Sequence, residues 1–378
     1  MSIHFHSLRI KEVKQETPEC VSVVFEVPED LKDDFTFKQG QSLTMRTSIN
    51  GEEVRRTYSI CASPLDNEWR VAIKRIDKGI FSTFANEVLK KGDILEVMPP
   101  IGKFYTELKK TNKKKYVAFV AGSGITPVLS LVKTTLATEP ESSFTLVYGN
   151  RNRSSIIFFE ELEGLKNKYM QRFNLVHVLS REQMDTPVNA GRIDIEKLNE
   201  LGPIVNYTGT DEFFLCGPEE MIFCVKDFLE KKGVTKKKIH FELFTTPGQA
   251  IVKSPPDSYR DTTDLPIVIG TPPLSERSPS DTNEPVSKIS IKLDGRSFDF
   301  DLAFKSGTSI LDAALQQGAD LPFACKGGVC CTCKAKLLEG KVNMDVHWGL
   351  EDEEIEQNYI LTCQSHPVTE KVIIDFDI

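Results

Sequence analysis

The chain has 378 residues, 40% of them hydrophobic and 27% charged, a balance that fits a globular protein of two to four domains and excludes a disordered or fibrous one. Its net charge of −8 argues against a non-specific nucleic-acid binder, which needs clustered Lys and Arg to meet phosphates; the basic runs at 109–115 and 231–238 read as solvated faces. No stretch approaches the roughly 18 apolar residues of a spanning helix, and the first residues lack a basic segment followed by an apolar run, so a cytoplasmic protein with no membrane partner is expected.

Residues 1–110 carry short alternating runs, such as Ser22–Val27 and Trp69–Lys74, punctuated by turns, among them a tight hairpin at Ile49-Asn50-Gly51-Glu52. This pattern predicts an antiparallel barrel. Arg56-Thr57-Tyr58-Ser59 ends one of its strands. An Arg suits a diphosphate, a Tyr stacks on an isoalloxazine ring, and a Ser can hydrogen-bond the ring nitrogen that takes a hydride. Downstream lie Lys74 and Gly79-Ile80-Phe81-Ser82, where a glycine before a helix start offers backbone N–H groups to phosphate.

At Tyr116–Ala121 the alternation gives way to a continuous apolar run, the mark of a parallel strand buried on both faces. Similar runs at Thr145–Tyr148, Leu175–Leu179 and Phe213–Cys216, with helical patterns at Pro127–Ala137, Phe158–Lys168 and Pro218–Lys232, predict a doubly wound α/β domain over 111–246. Gly122-Ser123-Gly124-Ile125-Thr126-Pro127 follows the first strand. Its two glycines permit close approach of a diphosphate, although a proline stands where the dinucleotide fingerprint has its third glycine. Cys216-Gly217-Pro218 follows a later strand, and both motifs belong at the carboxyl edge of the sheet, where ligands bind. Arg151, Ser180 and Arg181 also follow strands and suit a ribose 2′-phosphate, which would favour NADPH over NADH; they read equally well as surface residues.

Residues 247–286 are rich in Pro, Ser, Thr and Asp and read as a solvated, partly extended linker. From 287 to 378 strand-like runs at Ile289–Leu293 and Phe298–Leu302 and a helical Ser309–Gln317 lead to Cys325, Cys330, Cys331 and Cys333, with Cys363 thirty residues on. Cys325, Cys330, Cys333 and Cys363 match the plant-type C-x4-C-x2-C…C spacing of a [2Fe–2S] cluster. Gly327 and Gly328 give the loop the backbone freedom to wrap such a centre. A zinc site would ordinarily use two paired knuckles, whereas the second arm here has one cysteine. Cys331 falls outside the pattern, and Cys20, Cys61 and Cys224 read as small buried hydrophobes.

In this order and at these separations, Arg56–Ser59, Gly79–Ser82, Gly122–Pro127, Cys216–Pro218 and Phe241-Glu242-Leu243-Phe244 resemble the ferredoxin–NADP reductase superfamily over essentially the whole chain. With the ferredoxin-like part last, the chain looks most like the reductase components of multicomponent oxygenases that act on phenylacetyl-CoA. Further likenesses lie at Arg55–Cys61, Glu139-Pro140-Glu141-Ser142, Tyr148–Arg151 and Thr246-Pro247-Gly248. The resemblance implies a flavin-binding barrel, a nucleotide domain and a C-terminal α+β ferredoxin domain of β-grasp type. It implies that Arg56, Tyr58 and Ser59 hold FAD, with Gly79, Phe81 and Ser82 near its diphosphate. Gly122, Gly124 and Thr126 would bind the nicotinamide dinucleotide, Cys216 would lie near its ring, and Glu242 and Phe244 at the flavin–nicotinamide contact. Ser59, Cys216 and Glu242 are the residues at the reacting atoms in this reading. FMN is the alternative flavin, as in phthalate dioxygenase reductase-like proteins, although Gly79–Ser82 favours FAD. The implied activity is electron transfer from NAD(P)H through flavin and [2Fe–2S] to an oxygenase component. Another oxygenase, a desaturase or a haem protein is the alternative acceptor, and a non-enzymatic carrier or zinc-stabilised binding protein the alternative class.

Overall fold

Six strands of the first hundred residues, β1 (His6–Thr17), β2 (Cys20–Glu26), β3 (Ser42–Ile49), β4 (Glu52–Ser59), β5 (Trp69–Lys74) and β6 (Ile94–Val97), form one antiparallel sheet in the order β4-β3-β6-β1-β2-β5. The computed structural model describes residues 4–244, 267–270, 286–304 and 306–378, which fall into two units, 1–244 and 245–378. The sheet curls until its ends meet. Just past β4, Ile60 bridges Val71 of β5, and the Cys61 N–H donates to the Arg70 carbonyl at 2.8 Å. Closure removes the free edges that an open sheet would expose. The β3–β4 hairpin has the two-residue turn expected at Asn50-Gly51. Both residues have positive φ, 55° and 84°, which an Asn-Gly pair tolerates and which matches the strand twist. Leu8, Ile10, Val23, Leu43, Met45, Val71 and Ile73 fill the interior. A single helix, α1 (Ile80–Glu87), packs Phe81 and Ala85 against this core.

The chain then crosses to a parallel sheet, β7 (Lys115–Ala121), β8 (Ser143–Asn150), β9 (Phe173–Leu179), β10 (Glu212–Gly217) and β11 (Ile239–Leu243), ordered β11-β10-β7-β8-β9. From β7 it runs outward to β8 and β9, then returns past β7 to β10 and β11. The direction therefore reverses between β7 and β10, where doubly wound sheets open a crevice. Helices α2 (Ile125–Thr138), α3 (Phe159–Lys168), α4 (Ile195–Glu200) and α5 (Glu219–Lys231) connect the strands. The continuous apolar runs are buried as their sequence requires, Val117, Ala118, Phe119, Val120, Phe213, Phe214 and Leu215 all lying in the core.

Helix α2 also faces the barrel. Ser130 Oγ donates to the Ala62 carbonyl at 2.6 Å, Thr134 Oγ meets Ser63 Oγ at 2.9 Å, and Lys133 reaches Asp66 and Glu161 at 2.7 Å each. Arg70 of β5 makes two bonds to Glu161 at 2.8 and 2.9 Å. One apolar cluster joins Cys20, Cys61, Ala72 and Phe104 of the barrel to Val128, Leu131 and Leu146 of the nucleotide domain. These contacts fix the two domains as one body.

The second unit is built on β13 (Val286–Leu293), β14 (Arg296–Ala303), β15 (Lys334–Glu339), β17 (Tyr359–Leu361) and β19 (Lys371–Asp375) in the order β14-β13-β19-β15-β17, with β13 and β19 parallel. Helix α6 (Ile310–Gln316) buries Ile310, Leu311, Ala313 and Ala314 in its core, and the short α7 (Asp352–Glu356) precedes β17. This is the expected α+β arrangement. A small second sheet, β12 (Ile267–Gly270), β16 (Lys341–Met344) and β18 (Ser365–Pro367), contains one departure from the sequence reading. Strand β12 lies within the stretch read as linker and pairs antiparallel with β16, from Ile267 opposite Met344 to Gly270 opposite Lys341. Averaging composition over a long Pro-rich stretch hid the short β-branched run Ile267-Val268-Ile269. The remaining linker positions before β13, with Thr246-Pro247-Gly248, lie outside the described residues. Among the described residues no helix is long and apolar enough to cross a membrane.

Candidate electron-transfer site

Strand β4 carries Arg56 and Tyr58, both half-buried, and ends at the buried Ser59. The Tyr58 ring lies 5.7 Å from that of Phe81, which in turn packs on Phe84 at 6.2 Å. The Arg56 guanidinium donates to the Arg55 carbonyl at 2.7 Å, which leaves most of its donors for other partners. Helix α1 begins at Gly79 with no side-chain cap, so the N–H groups of its first turn have no side-chain acceptor and suit an anion. The Ser82 hydroxyl is engaged within the same loop, accepting from the Ile76 N–H at 3.1 Å and donating to the Gly79 carbonyl at 3.2 Å. A Cβ on Gly79 would overlap that hydroxyl, which explains the glycine. Ser82 thus shapes the loop from a buried position.

Across the crevice, Gly122–Gly124 form a tight turn before α2, again without a side-chain cap. Gly122 has φ 55°, and its carbonyl accepts the Tyr148 hydroxyl at 2.9 Å, a support from β8 that no motif announced. Thr126 Oγ donates to the Ser123 carbonyl at 3.0 Å and ties the turn to the helix. Gly124 lies directly against the β10 loop, where a Cβ would overlap the Cys216 carbonyl and stand 2.9 Å from the Gly217 nitrogen. Gly217 is equally confined, with 3.0 Å from its would-be Cβ to the Ala121 nitrogen, and Pro218 precedes the first turn of α5. The two loops after β7 and β10 are therefore in backbone contact, as the topology requires and as only glycine permits. Lys74, at the end of β5, brings its ammonium within 3.8 Å of where a Cβ on Gly122 would be, so a barrel cation overhangs the nucleotide loop.

The barrel and the nucleotide sheet also meet through Ser59 and Glu242. Ser59 is buried, and its Oγ donates to Glu242 Oε2 at 3.1 Å across 183 residues of sequence. Glu242 sits on β11 opposite Cys216 of β10. Part of its side chain meets solvent, yet desolvation of the carboxyl pushes its pKa up to about 7, with the Ser59 hydroxyl opposing the rise. Cys216 is fully buried. Burial, and then the nearby Glu242, push its thiol well above the ordinary cysteine range, so it stays a neutral thiol at neutral pH. Phe244 follows β11 with 45% of its surface exposed.

At the ends of β8 and β9 the Ser180 N–H donates to the Asn150 carbonyl at 3.0 Å and the Arg181 N–H to the Arg151 carbonyl at 2.8 Å. This pairing sets exposed Arg151 and Arg181 on adjacent loops with Ser180 between them. Sequence reasoning passed over Glu182, which accepts the Arg153 N–H at 2.7 Å and fastens the same two loops.

In the second unit Cys330 lies close enough to Cys325 to bear on its proton affinity, and Cys363 close enough to bear on that of Cys333. The Gly327 N–H donates to Cys325 Sγ at 3.2 Å, the Cys325 N–H to Cys330 Sγ at 3.4 Å, and Thr332 Oγ lies 3.2 Å from Cys330 Sγ. Hydrogen bonds from Cys330 and from the loop amides draw the Cys325 thiol down to about 6, against the effect of burial. Four thiols set in two neighbouring pairs would suit a [2Fe–2S] centre, which would supply one-electron transfer. Cys331 stands apart. With φ 56° its side chain turns to donate to the Gly349 carbonyl at 2.6 Å, which gives a structural role to the cysteine outside the pattern.

Comparison with known proteins agrees with these three regions. The chain matches family models for an oxidoreductase FAD-binding domain at residues 7–105, an oxidoreductase NAD-binding domain at 119–227 and a 2Fe-2S iron-sulfur cluster binding domain at 291–368. It is 43% identical to a subunit of the 1,2-phenylacetyl-CoA epoxidase of Escherichia coli K12, over 99% of this chain and 98% of that one. It is 32% identical to the ferredoxin reductase component of 3-ketosteroid-9-alpha-monooxygenase of Rhodococcus rhodochrous, over 98% and 96%. The crystal structure of phthalate dioxygenase reductase shares the fold, with a TM-score of 0.56 at 21% identity and 98% of each chain covered.

Proposed function

Since this chain belongs to the family of oxygenase reductase components that join FAD-binding, NAD-binding and 2Fe-2S domains, we propose that it draws electrons from NADPH to supply an oxygenase component that acts on phenylacetyl-CoA. The observation that carries the reading is the Ser59–Glu242 hydrogen bond at the crevice where the Gly124 turn meets Cys216. It brings the flavin motif and the nucleotide motifs into one site. The acceptor's identity rests on the 43% identity over nearly the whole length of both chains.

In this reading residues 1–110 bind flavin, 111–246 bind the nicotinamide nucleotide, 247–286 connect, and 287–378 hold the cluster. Flavin, when bound, takes up two electrons as hydride and releases them one at a time, which couples a nicotinamide donor to a [2Fe–2S] centre. Arg56 and the uncapped first turn of α1 bind its phosphates, and the Gly79–Ser82 segment favours FAD over FMN. Tyr58, backed by Phe81, provides a stacking face. The turns at Gly122–Gly124 and Gly217–Pro218 accommodate the donor's diphosphate, with Lys74 placed to neutralise it. Arg151, Ser180 and Arg181 support a 2′-phosphate and hence NADPH over NADH. Ser59 and Glu242 hold a proton between them beside the reacting atoms, while neutral Cys216 and the aromatic Phe244 keep water out. Cys325, Cys330, Cys333 and Cys363 are the iron ligands.

Anaerobic stopped-flow spectroscopy tests the division of labour. Ser59→Ala should slow flavin reduction by NADPH on the order of a hundredfold, while Cys330→Ser should reduce flavin normally and fail in onward transfer. Equal loss of flavin reduction in both would refute the assignment. Turnover of phenylacetyl-CoA in a mixture reconstituted with its oxygenase tests the acceptor.

A further inference from the structure

The cluster loop rests on a residue that no cysteine pattern singles out. Gln364 follows Cys363, and its side chain runs back beneath the loop that begins at Cys325. A Cβ on Gly328, which has φ 74°, would stand 3.0 Å from Gln364 Cγ and 2.9 Å from the Val346 carbonyl oxygen, so the amide stem and the 345–350 segment fill the space under that glycine. From there Gln364 Nε2 lies 2.9 Å from the Lys326 carbonyl, 3.0 Å from the Cys363 carbonyl and 3.7 Å from Cys363 Sγ. All three neighbours are acceptors, and the amide has two protons. The shorter contacts take those protons, and the sulfur shares one of them.

We infer that Gln364 is a positioning residue for the cluster, a single amide that ties the Cys325–Cys333 loop to the Cys363 arm and places a donor beside one ligand sulfur. Two independent features support it. Lys326 is a non-glycine residue held at φ 53°, a strained conformation that persists only when its surroundings fix it. Its Nζ is bound to Asp312 at 2.6 Å and its carbonyl to Gln364, so the residue is held from both ends. Second, near the Cys325 end the other bonds stay within the loop and the 345–350 segment: Gly327 N–H to Cys325 Sγ, Thr332 to Cys330 Sγ, and Gly349 N–H to the Gly328 carbonyl at 2.8 Å. At the far end Thr362 joins the arms, its N–H and hydroxyl donating to the Cys333 carbonyl at 3.2 and 3.0 Å, and Gln364 makes the corresponding bridge at the Cys325 end.

Donors to ligand sulfur stabilise the extra negative charge of a reduced centre and raise its potential. Gln364→Leu removes the donor and keeps the bulk under Gly328, while Gln364→Glu replaces it with a negative acceptor. In the full-length protein a spectroelectrochemical titration should show the cluster about tenfold harder to reduce in Gln364→Leu, about 59 mV for one electron, and harder still in Gln364→Glu. Iron release to a chelator should quicken in the same order. Flavin reduction by NADPH, read in the same samples, serves as reference. An unchanged potential in a cluster-loaded Gln364→Leu protein overturns the inference, as does a parallel loss of flavin reduction. Should the variants fail to load a cluster, the wild-type protein labelled with ¹⁵N in glutamine side chains decides: coupling of that nitrogen to the reduced centre supports the bond, and its absence refutes it. The inference rests on the four cysteines being iron ligands. Iron content and visible absorption of the wild-type protein test that separately, since a colourless wild type would sink the ligand assignment itself.

Discussion

At the residue scale, Glu242 is a carboxyl whose surroundings alter its chemistry in the physiological pH range. Its folded pKa of about 7 lies above the ordinary carboxyl value of 4.5, so between those values the folded chain binds a proton that the unfolded chain has lost. Stability is therefore fully retained below about 4.5 and falls as pH rises through 7. Glu242→Gln should remove this dependence. In the flavin-free protein it should raise stability at pH 8 by about 1–2 kcal/mol, less than full burial would give because the side chain meets solvent, and leave it unchanged near pH 4.5. Denaturant melts at the two pH values check the sign; a stabilisation equal at both would rule out the shifted carboxyl. Glu139 shows how a local likeness in sequence can have a structural cause. Fully buried on the turn after α2, it accepts from the Lys109 N–H (3.1 Å), Asn112 (2.6 Å), Tyr116 (2.9 Å) and Ser142 (2.7 Å), and so fastens the crossing from barrel to nucleotide sheet. Its tetrapeptide was legible; its partners, three of them more than twenty residues upstream, were not.

At the scale of elements, the turn between β7 and α2 is the most tightly constrained piece of the site. Gly124→Ala places a carbon into backbone atoms of the β10 loop, which cannot rotate away. The substitution should destabilise the first unit by about 1–3 kcal/mol and raise the KM for NADPH at least about tenfold, with little change in the binding of flavin. Steady-state kinetics and flavin content measure the two effects apart, and an unaltered KM would mean that the contact does not shape the nucleotide site. Glycine spacing announced this turn because its physical cause is local. The same holds for the Asn50-Gly51 hairpin and the C-x4-C-x2-C loop. What sequence did not reveal depends on pairing between distant strands: the Tyr148 support beneath Gly122, the Glu182 fastening, the Gln364 clasp and the addition of β12 to β16. Each joins residues whose types are common and whose neighbours are fixed only after folding. The helix boundaries differed by one or two residues for a related reason, since α2 begins at Ile125 through a tight turn that its periodicity does not encode.

On the scale of the whole molecule, sequence punctuation marks three domains, whereas packing marks two bodies. The apolar cluster that passes from Cys20, Cys61 and Phe104 into α2 and β8 leaves no seam at which the barrel could melt by itself. The barrel should therefore unfold cooperatively with the nucleotide sheet. Differential scanning calorimetry of the flavin-loaded protein should resolve two endotherms, and removing flavin should lower only the one that belongs to residues 1–244. Three endotherms would disprove the shared core. If two are found, a substitution that weakens flavin binding also shortens the survival of the nucleotide site, so lost flavin would appear in a cell as lost reductase rather than as an inactive pool.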